Sequence, residues 1–121
     1  MTAVGVKPFV IVLSHVPFVT GAIVDALEGI AEAHTFATKS GDTVGLLRSL
    51  RPDAIVVDGP GAAEEAAKYA RAADVPLVYI DLLEHKLCAL ERDGWRDVAG
   101  RPSSGSLRNT LAEAIYQRTR P

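Results

Sequence analysis

Two short runs in this chain are apolar at every position, and they limit the folds that it can adopt. The runs are Phe9–Leu13 and Ala54–Val57, and both are rich in β-branched residues. Strands that are apolar on both faces are typical of parallel sheets covered by helices on each side. A third run at 76–80 follows the same pattern apart from Tyr79. The sequence therefore predicts an α/β protein built on a buried parallel sheet.

Helical patterns separate these strands. Pro17 can open a helix in which apolar residues recur at helical spacing as far as Ile30. A short strand at 33–37 comes next, and Ser40, Gly41 and Asp42 supply the turn and cap of a second helix. The alanine-rich stretch 62–73 reads as a third helix. Alternation of this kind predicts βαβ units with helices on both faces of the sheet.

The last third of the chain departs from the alternation. Two strand patterns, at 86–91 and 95–99, flank Asp93 and Gly94, a pair typical of tight turns. We therefore expect a β-hairpin in place of the helix before the last strand. A final helix, capped by Ser103 or Ser104, follows a loop. The expected fold is a three-layer sandwich with a doubly wound parallel sheet of about five strands, in one domain over residues 1–121.

Composition excludes several classes of protein. The 121 residues are 48 % hydrophobic and 23 % charged, a balance typical of one globular domain. A net charge of −2 lacks the cationic excess that direct nucleic-acid binding requires. The single cysteine, Cys88, favours a reducing compartment, and no apolar run reaches the length of a membrane span. We expect a cytoplasmic protein that binds neither nucleic acid nor membrane.

Polar side chains follow three of the predicted strands. Ser14 and His15 follow the first strand, Asp58 follows the third and Asp81 the fourth. Ligands of open α/β sheets bind at the carboxyl ends of the strands, so we expect these residues to line one pocket.

At these positions the chain resembles the receiver domain of bacterial response regulators. Residues 51–59 resemble the third strand of that family, in which the acid at the strand end accepts a phosphoryl group. Residues 75–81 are similar to its fourth strand, and Gly100-Arg101-Pro102 looks like its Lys-Pro turn. The resemblance implies a flavodoxin-like, receiver-like fold, with Asp58 as the phosphoacceptor and Arg101 as the cation of the pocket.

Four positions depart from the family pattern, and one of them is Arg101, which stands where the family has a lysine. Ser14 and His15 stand where the family has paired acids, and Asp81 stands where it has a hydroxyl residue. Because Mg²⁺ prefers a shell of hard oxygen ligands, the loss of two carboxylates weakens both a Mg²⁺ site and metal-assisted phosphorylation. The expectation is a stand-alone receiver-like signalling or protein-interaction module, not an enzyme, with lost or weakened aspartyl phosphorylation.

The hairpin is the expected contact surface of this module. Trp95, with Leu90 and Arg92, would form a patch of the residue types that are enriched at protein interfaces. The hairpin and the terminal helix together offer a surface for a homodimer. We expect a protein partner to dock here.

Two other functions fit the residues. Residues 9–21 look like the active segment of mannose-type sugar phosphotransferase components, which would make His15 a phosphoryl carrier beside a helix N-terminus. Alternatively, Ser14, Gly59 and Gly61 would face a pocket for a small ligand or nucleotide in a flavodoxin-like architecture.

Overall fold

A computed structural model describes residues 7–37 and 42–119, with side chains as far as residue 115. Ser40 and Gly41 of the predicted turn lie outside the described residues. The strands are β1 (Phe9–Leu13), β2 (Glu32–Phe36), β3 (Ala54–Val57), β4 (Leu77–Asp81), β5 (Lys86–Glu91) and β6 (Gly94–Asp97). The helices are α1 (Pro17–Leu27), α2 (Thr43–Leu50), α3 (Pro60–Ala73) and α4 (Ser104–Thr119). The prediction of an α/β fold is confirmed.

All six strands belong to one sheet in the order β2-β1-β3-β4-β5-β6. The first four strands are mutually parallel, and β5 and β6 are antiparallel additions. The chain steps from β1 outward to β2 and then to β3 on the other side of β1. Between β1 and β3 the winding direction changes, which is where such sheets bind ligands.

Helices cover both faces of the sheet. Val10, Val12 and Val56 turn one way and pack with α1 and α4, in a core that includes Leu27 and Leu111. Their neighbours in sequence turn the other way and pack with α2 and α3, in the second core. Two opposite apolar faces explain why these strands are apolar at every position. None of the described helices is long and apolar enough to cross a membrane.

Local signals fix the helix ends. Pro17 and Pro60 occupy the first turns of α1 and α3. Asp42 caps α2, its Oδ1 accepting a hydrogen bond from the Gly45 amide at 2.7 Å. Of the two serines proposed as a cap for α4, Ser103 fills the role, because its Oγ accepts from the Ser106 amide at 3.1 Å.

The hairpin differs from its predicted form in two respects. Both of its strands join the sheet, which has six strands where about five were expected, and α4 follows β6 as the sequence predicted. The register pairs Glu91 with Gly94, so the two turn residues are Arg92 and Asp93 rather than Asp93 and Gly94. Only Gly94 among these has a positive φ, 134°. The turn therefore lacks the two central residues with positive φ that a type I′ turn requires.

Candidate functional site

A histidine and an aspartate meet where β1 and β3 end. The Nδ1 atom of His15 lies 3.0 Å from Oδ1 of Asp58, and the two side chains are 52 % and 0 % exposed. Because an ionised carboxylate only accepts hydrogen bonds, this contact fits the His15 tautomer that carries its proton on Nδ1. The Nε2 lone pair is thereby left free on a ring that solvent can reach.

Two hydroxyl groups hold the other side of the Asp58 carboxylate. Ser14 Oγ donates to Asp58 Oδ2 at 2.5 Å, and Thr20 Oγ1 donates to Ser14 Oγ at 2.6 Å. Ser14 is itself buried. Hydrogen bonds connect Thr20, Ser14, Asp58 and His15 in that order, and this His15 cluster links α1, β1 and β3. The bonds fix the carboxylate so that one of its oxygens faces the imidazole.

Glycine and two helix starts surround the His15 ring. A Cβ atom on Gly59 would stand 3.5 Å from His15 Cε1, so the backbone of the turn before α3 lies alongside the ring. Helix α1 begins two residues after His15, and α3 begins two residues after Asp58. First-turn amides of helices have no intrahelical acceptor and favour negatively charged groups nearby. The His15 ring therefore lies beside the turn that precedes α3, and His15 itself is two residues before the start of α1.

Three of the five residues predicted for the pocket make direct contact, and two lie elsewhere. Ser14, His15 and Asp58 are joined by hydrogen bonds, whereas Asp81 and Arg101 line a separate cavity of about 530 Å³ beyond the end of β4. Asp81 serves its own loop, because its Oδ1 accepts from the amides of Leu83 at 3.1 Å and Glu84 at 3.0 Å. The structure thus brings Ser14, His15 and Asp58 together and places Asp81 and Arg101 at another cavity.

The sequence analysis missed Thr20. A threonine in the first turn of a helix has no distinctive motif, and its hydroxyl also lies 3.1 Å from the Val16 carbonyl, a bond that helical threonines commonly make. Its position in the sequence could have identified it, because the first turn of a helix that directly follows a strand lies close to the carboxyl end of that strand.

The donor set does not fit Mg²⁺. Asp58 is the single carboxylate of the His15 cluster, and hydrogen bonds from Ser14 and His15 occupy both of its oxygens. Within residues 7–37 and 42–119, no three His, Cys, Asp or Glu side chains come together as a metal site. Mg²⁺ is usually held by one or two carboxylates together with water, and both oxygens of the carboxylate in this cluster already accept hydrogen bonds.

The predicted contact residues of the hairpin lie at its tip and on one face. Trp95 pairs with Leu90 across β5 and β6 and packs against Tyr79, with ring centroids 5.7 Å apart. Trp95 remains 39 % exposed, whereas Leu90 is half-buried against the core. Arg92 lies in the turn and is exposed. The exposed part of the predicted patch is therefore Trp95 and Arg92.

Cys88 is a buried thiol in β5. Burial raises the pKa of this thiol, and a hydrogen bond from its Sγ to Asp97 Oδ1, at 3.5 Å, raises that pKa further. A thiol that keeps its proton is a weak nucleophile. The group is therefore a packing residue rather than a reactive one.

We expect the free energy of unfolding to decrease as the pH rises above about 8.5. The folded protein keeps the Cys88 proton to a higher pH than the unfolded chain does, so unfolding releases a proton in this range. Tyr79 and Lys86 also have raised pKa values, but their unfolded values lie at about 10 or above. Urea unfolding between pH 7.5 and 9.5 should show this slope in the parent and a flatter line in Cys88→Ala. Equal slopes would contradict the assignment.

Comparison of the chain with protein-family models, curated proteins and solved structures found no match.

Proposed function

We propose that this protein is a phosphoryl carrier that accepts a phosphoryl group on Nε2 of His15. The observation that carries the proposal is the 3.0 Å contact between His15 Nδ1 and the fully buried Asp58 carboxylate. An imidazole held in this way presents its free Nε2 lone pair as a nucleophile. This is the alternative function that residues 9–21 suggested.

Phosphoryl transfer to His15 requires no separate general base. The Nε2 lone pair forms a bond to phosphorus while the donor's bond to phosphorus breaks, and the donor keeps that electron pair. The Nδ1 proton stays between His15 and Asp58, so the positive charge that develops on the ring faces a carboxylate. Amides in the first turns of α1 and α3 favour the incoming negative charge.

Asp58 supports this function as the residue that orients His15, rather than as the phosphoacceptor of a receiver. Its side chain is fully buried, and both oxygens already accept hydrogen bonds. Phosphorylation of Asp58 would first break the bonds to Ser14 and His15. Without a neighbouring carboxylate to bind Mg²⁺, nothing in this cluster offsets that cost.

We expect the parent protein to gain one phosphoryl group from phosphoramidate, a small donor that modifies histidine. His15→Ala should remove the modification, and the rate at His15 should exceed that at His34 by on the order of tenfold or more. His34 is a matched control because its side chain is 49 % exposed and its Nε2 lies 3.2 Å from a carboxylate oxygen of Glu32. It lies on an edge strand, away from helix starts. Intact mass and ³¹P NMR measure both rates.

Three outcomes would count against the carrier. The first is no modification, and the second is equal modification of His15 and His34. The third is a hydroxylamine-sensitive phosphate that survives in His15→Ala and disappears in Asp58→Asn, which would instead favour a working receiver.

The receiver-like interaction module remains a second candidate because Trp95 is exposed. A tryptophan that is 39 % exposed and supported by Tyr79 has the character of an interface anchor. The two functions predict different sensitivities. A Trp95→Ala variant should keep phosphorylation of His15 and lose partner binding, whereas His15→Ala should do the reverse.

A further inference from the structure

The cavity beyond β4 has features that the proposed carrier does not use. It has a volume of about 530 Å³, and its walls are Ile80, Asp81, Leu82, His85, Arg101 and Pro102. Strand β4 is two strands from β1 in the sheet, so the strand ends that carry the cavity and His15 are roughly 10 Å apart. The cavity therefore opens at the carboxyl ends of the strands, as the His15 site does, but it is lined by different residues.

Two side chains that can donate hydrogen bonds, Arg101 and His85, line this cavity. Within the part of the chain that the structure describes, neither the Arg101 guanidinium nor the His85 imidazole forms a hydrogen bond or an ion pair. Both side chains are exposed to solvent. Most of the charged groups around the hairpin do pair: Lys86 with Asp97, and Arg96 with Glu91. Both donor groups are therefore available to bind an anion.

The carboxylate in the cavity wall has hydrogen-bond partners in its own loop. Asp81 Oδ1 accepts two backbone amides of its own loop. Lys86 stands opposite Asp81 in the sheet. A hydrogen bond to Asp97 raises the pKa of Lys86 most, and the charge of Asp81 also raises it. Lys86 is paired with Asp97, whereas the Asp81 carboxylate is turned toward the amides of its own loop. The hydrogen-bond donors that the cavity wall presents are Arg101 and His85.

The remaining wall is apolar and the loop is held in place. Ile80, Leu82 and Pro102 provide the apolar surface. His85 has φ 53°, a left-handed conformation that is uncommon for residues other than glycine. This conformation and the Asp81 bonds close the turn between β4 and β5, so the imidazole stands on a defined backbone beside the cavity.

We propose that the cavity binds a small organic anion, a carboxylate or a phosphate monoester on a compact apolar body. The anion would bind to Arg101, whose planar fork of N–H groups matches either head group, with His85 as a second donor. The apolar body would lie against Ile80, Leu82 and Pro102. The volume is within the range of small-ligand sites. The proposal is independent of phosphoryl transfer at His15.

Titration of ¹⁵N-labelled protein tests this site with three probes of similar shape: isovalerate, isobutyl phosphate and uncharged isovaleramide. With one or both anions we expect saturable shifts at Arg101 Nε–H and at the backbone amides of the β4–β5 turn. With isovaleramide we expect no such shifts. The tighter anion identifies the head group. Arg101→Gln should weaken binding by about tenfold or more. Arg48→Gln, exposed on α2 and outside the cavity wall, should leave it unchanged.

The outcomes separate this site from the carrier. His15→Ala should bind the anion as the parent does, so failure of phosphorylation would leave the cavity proposal intact. Spectra of Arg101→Gln establish that the variant is folded. Absence of saturable shifts with both anions would overturn the proposal, as would equal binding of isovaleramide or unchanged affinity in folded Arg101→Gln.

Discussion

The Asp58→Asn variant is expected to phosphorylate at His15 more slowly than the parent by a factor on the order of 10²–10⁴. An asparagine amide can donate to Nδ1, which moves the ring proton to Nε2 and removes the nucleophilic lone pair. It also removes the negative charge that faces the developing imidazolium. The effect is large because Asp58 is fully buried and contacts the ring directly at 3.0 Å.

The ¹⁵N shifts of the His15 ring provide a readout that general loss of stability would not change. They should report a proton on Nδ1 in the parent and on Nε2 in Asp58→Asn, alongside the slower transfer measured by ³¹P NMR. Asp53→Asn is the matched control. Asp53 also joins two strands, accepting the Phe9 amide at 2.7 Å, but at the opposite edge of the sheet. An unchanged tautomer and rate in Asp58→Asn would contradict the orienting role.

The interior of the fold was predictable because each signal there had a single physical cause. Residues of β1 and β3 contact a helix layer on both faces, so every position had to be apolar. The expected meeting of Ser14, His15 and Asp58 followed from the same pattern. Once β1 and β3 are adjacent and parallel, the residues after them lie side by side.

The outer strands of the sheet were less predictable, because they are exposed to solvent. Their limits therefore depend on pairing with the neighbouring strand rather than on burial of every side chain. Strand β2 was expected one residue later than it lies, since its exposed positions include Glu32 and His34 and its register depends on β1. The Asp93-Gly94 pair correctly indicated a turn, but it did not indicate which residues occupy the turn. That depends on the pairing of Glu91 with Gly94.

That Asp81 lies apart from His15 could be seen only from the positions of the side chains in the structure. Sequence position puts Asp81 at a strand end, yet the carboxylate turns into its own loop and binds the Leu83 and Glu84 amides. Acids at strand ends commonly cap turns in this way. Nothing in the order of residues distinguishes an acid that serves its own loop from one, such as Asp58, that reaches across to the next strand.

Replacement of Leu47 by alanine should lower the free energy of unfolding by about 2–5 kcal/mol. Leu47 is the fully buried residue of α2 and belongs to the core with Ile11 and Ile55, so its loss leaves a cavity between the helix and the sheet. Urea unfolding measures the change. Ser49→Ala, exposed on the same helix, should stay within about 0.5 kcal/mol of the parent. An equally small effect of Leu47→Ala would mean that α2 is not held to the sheet by this contact.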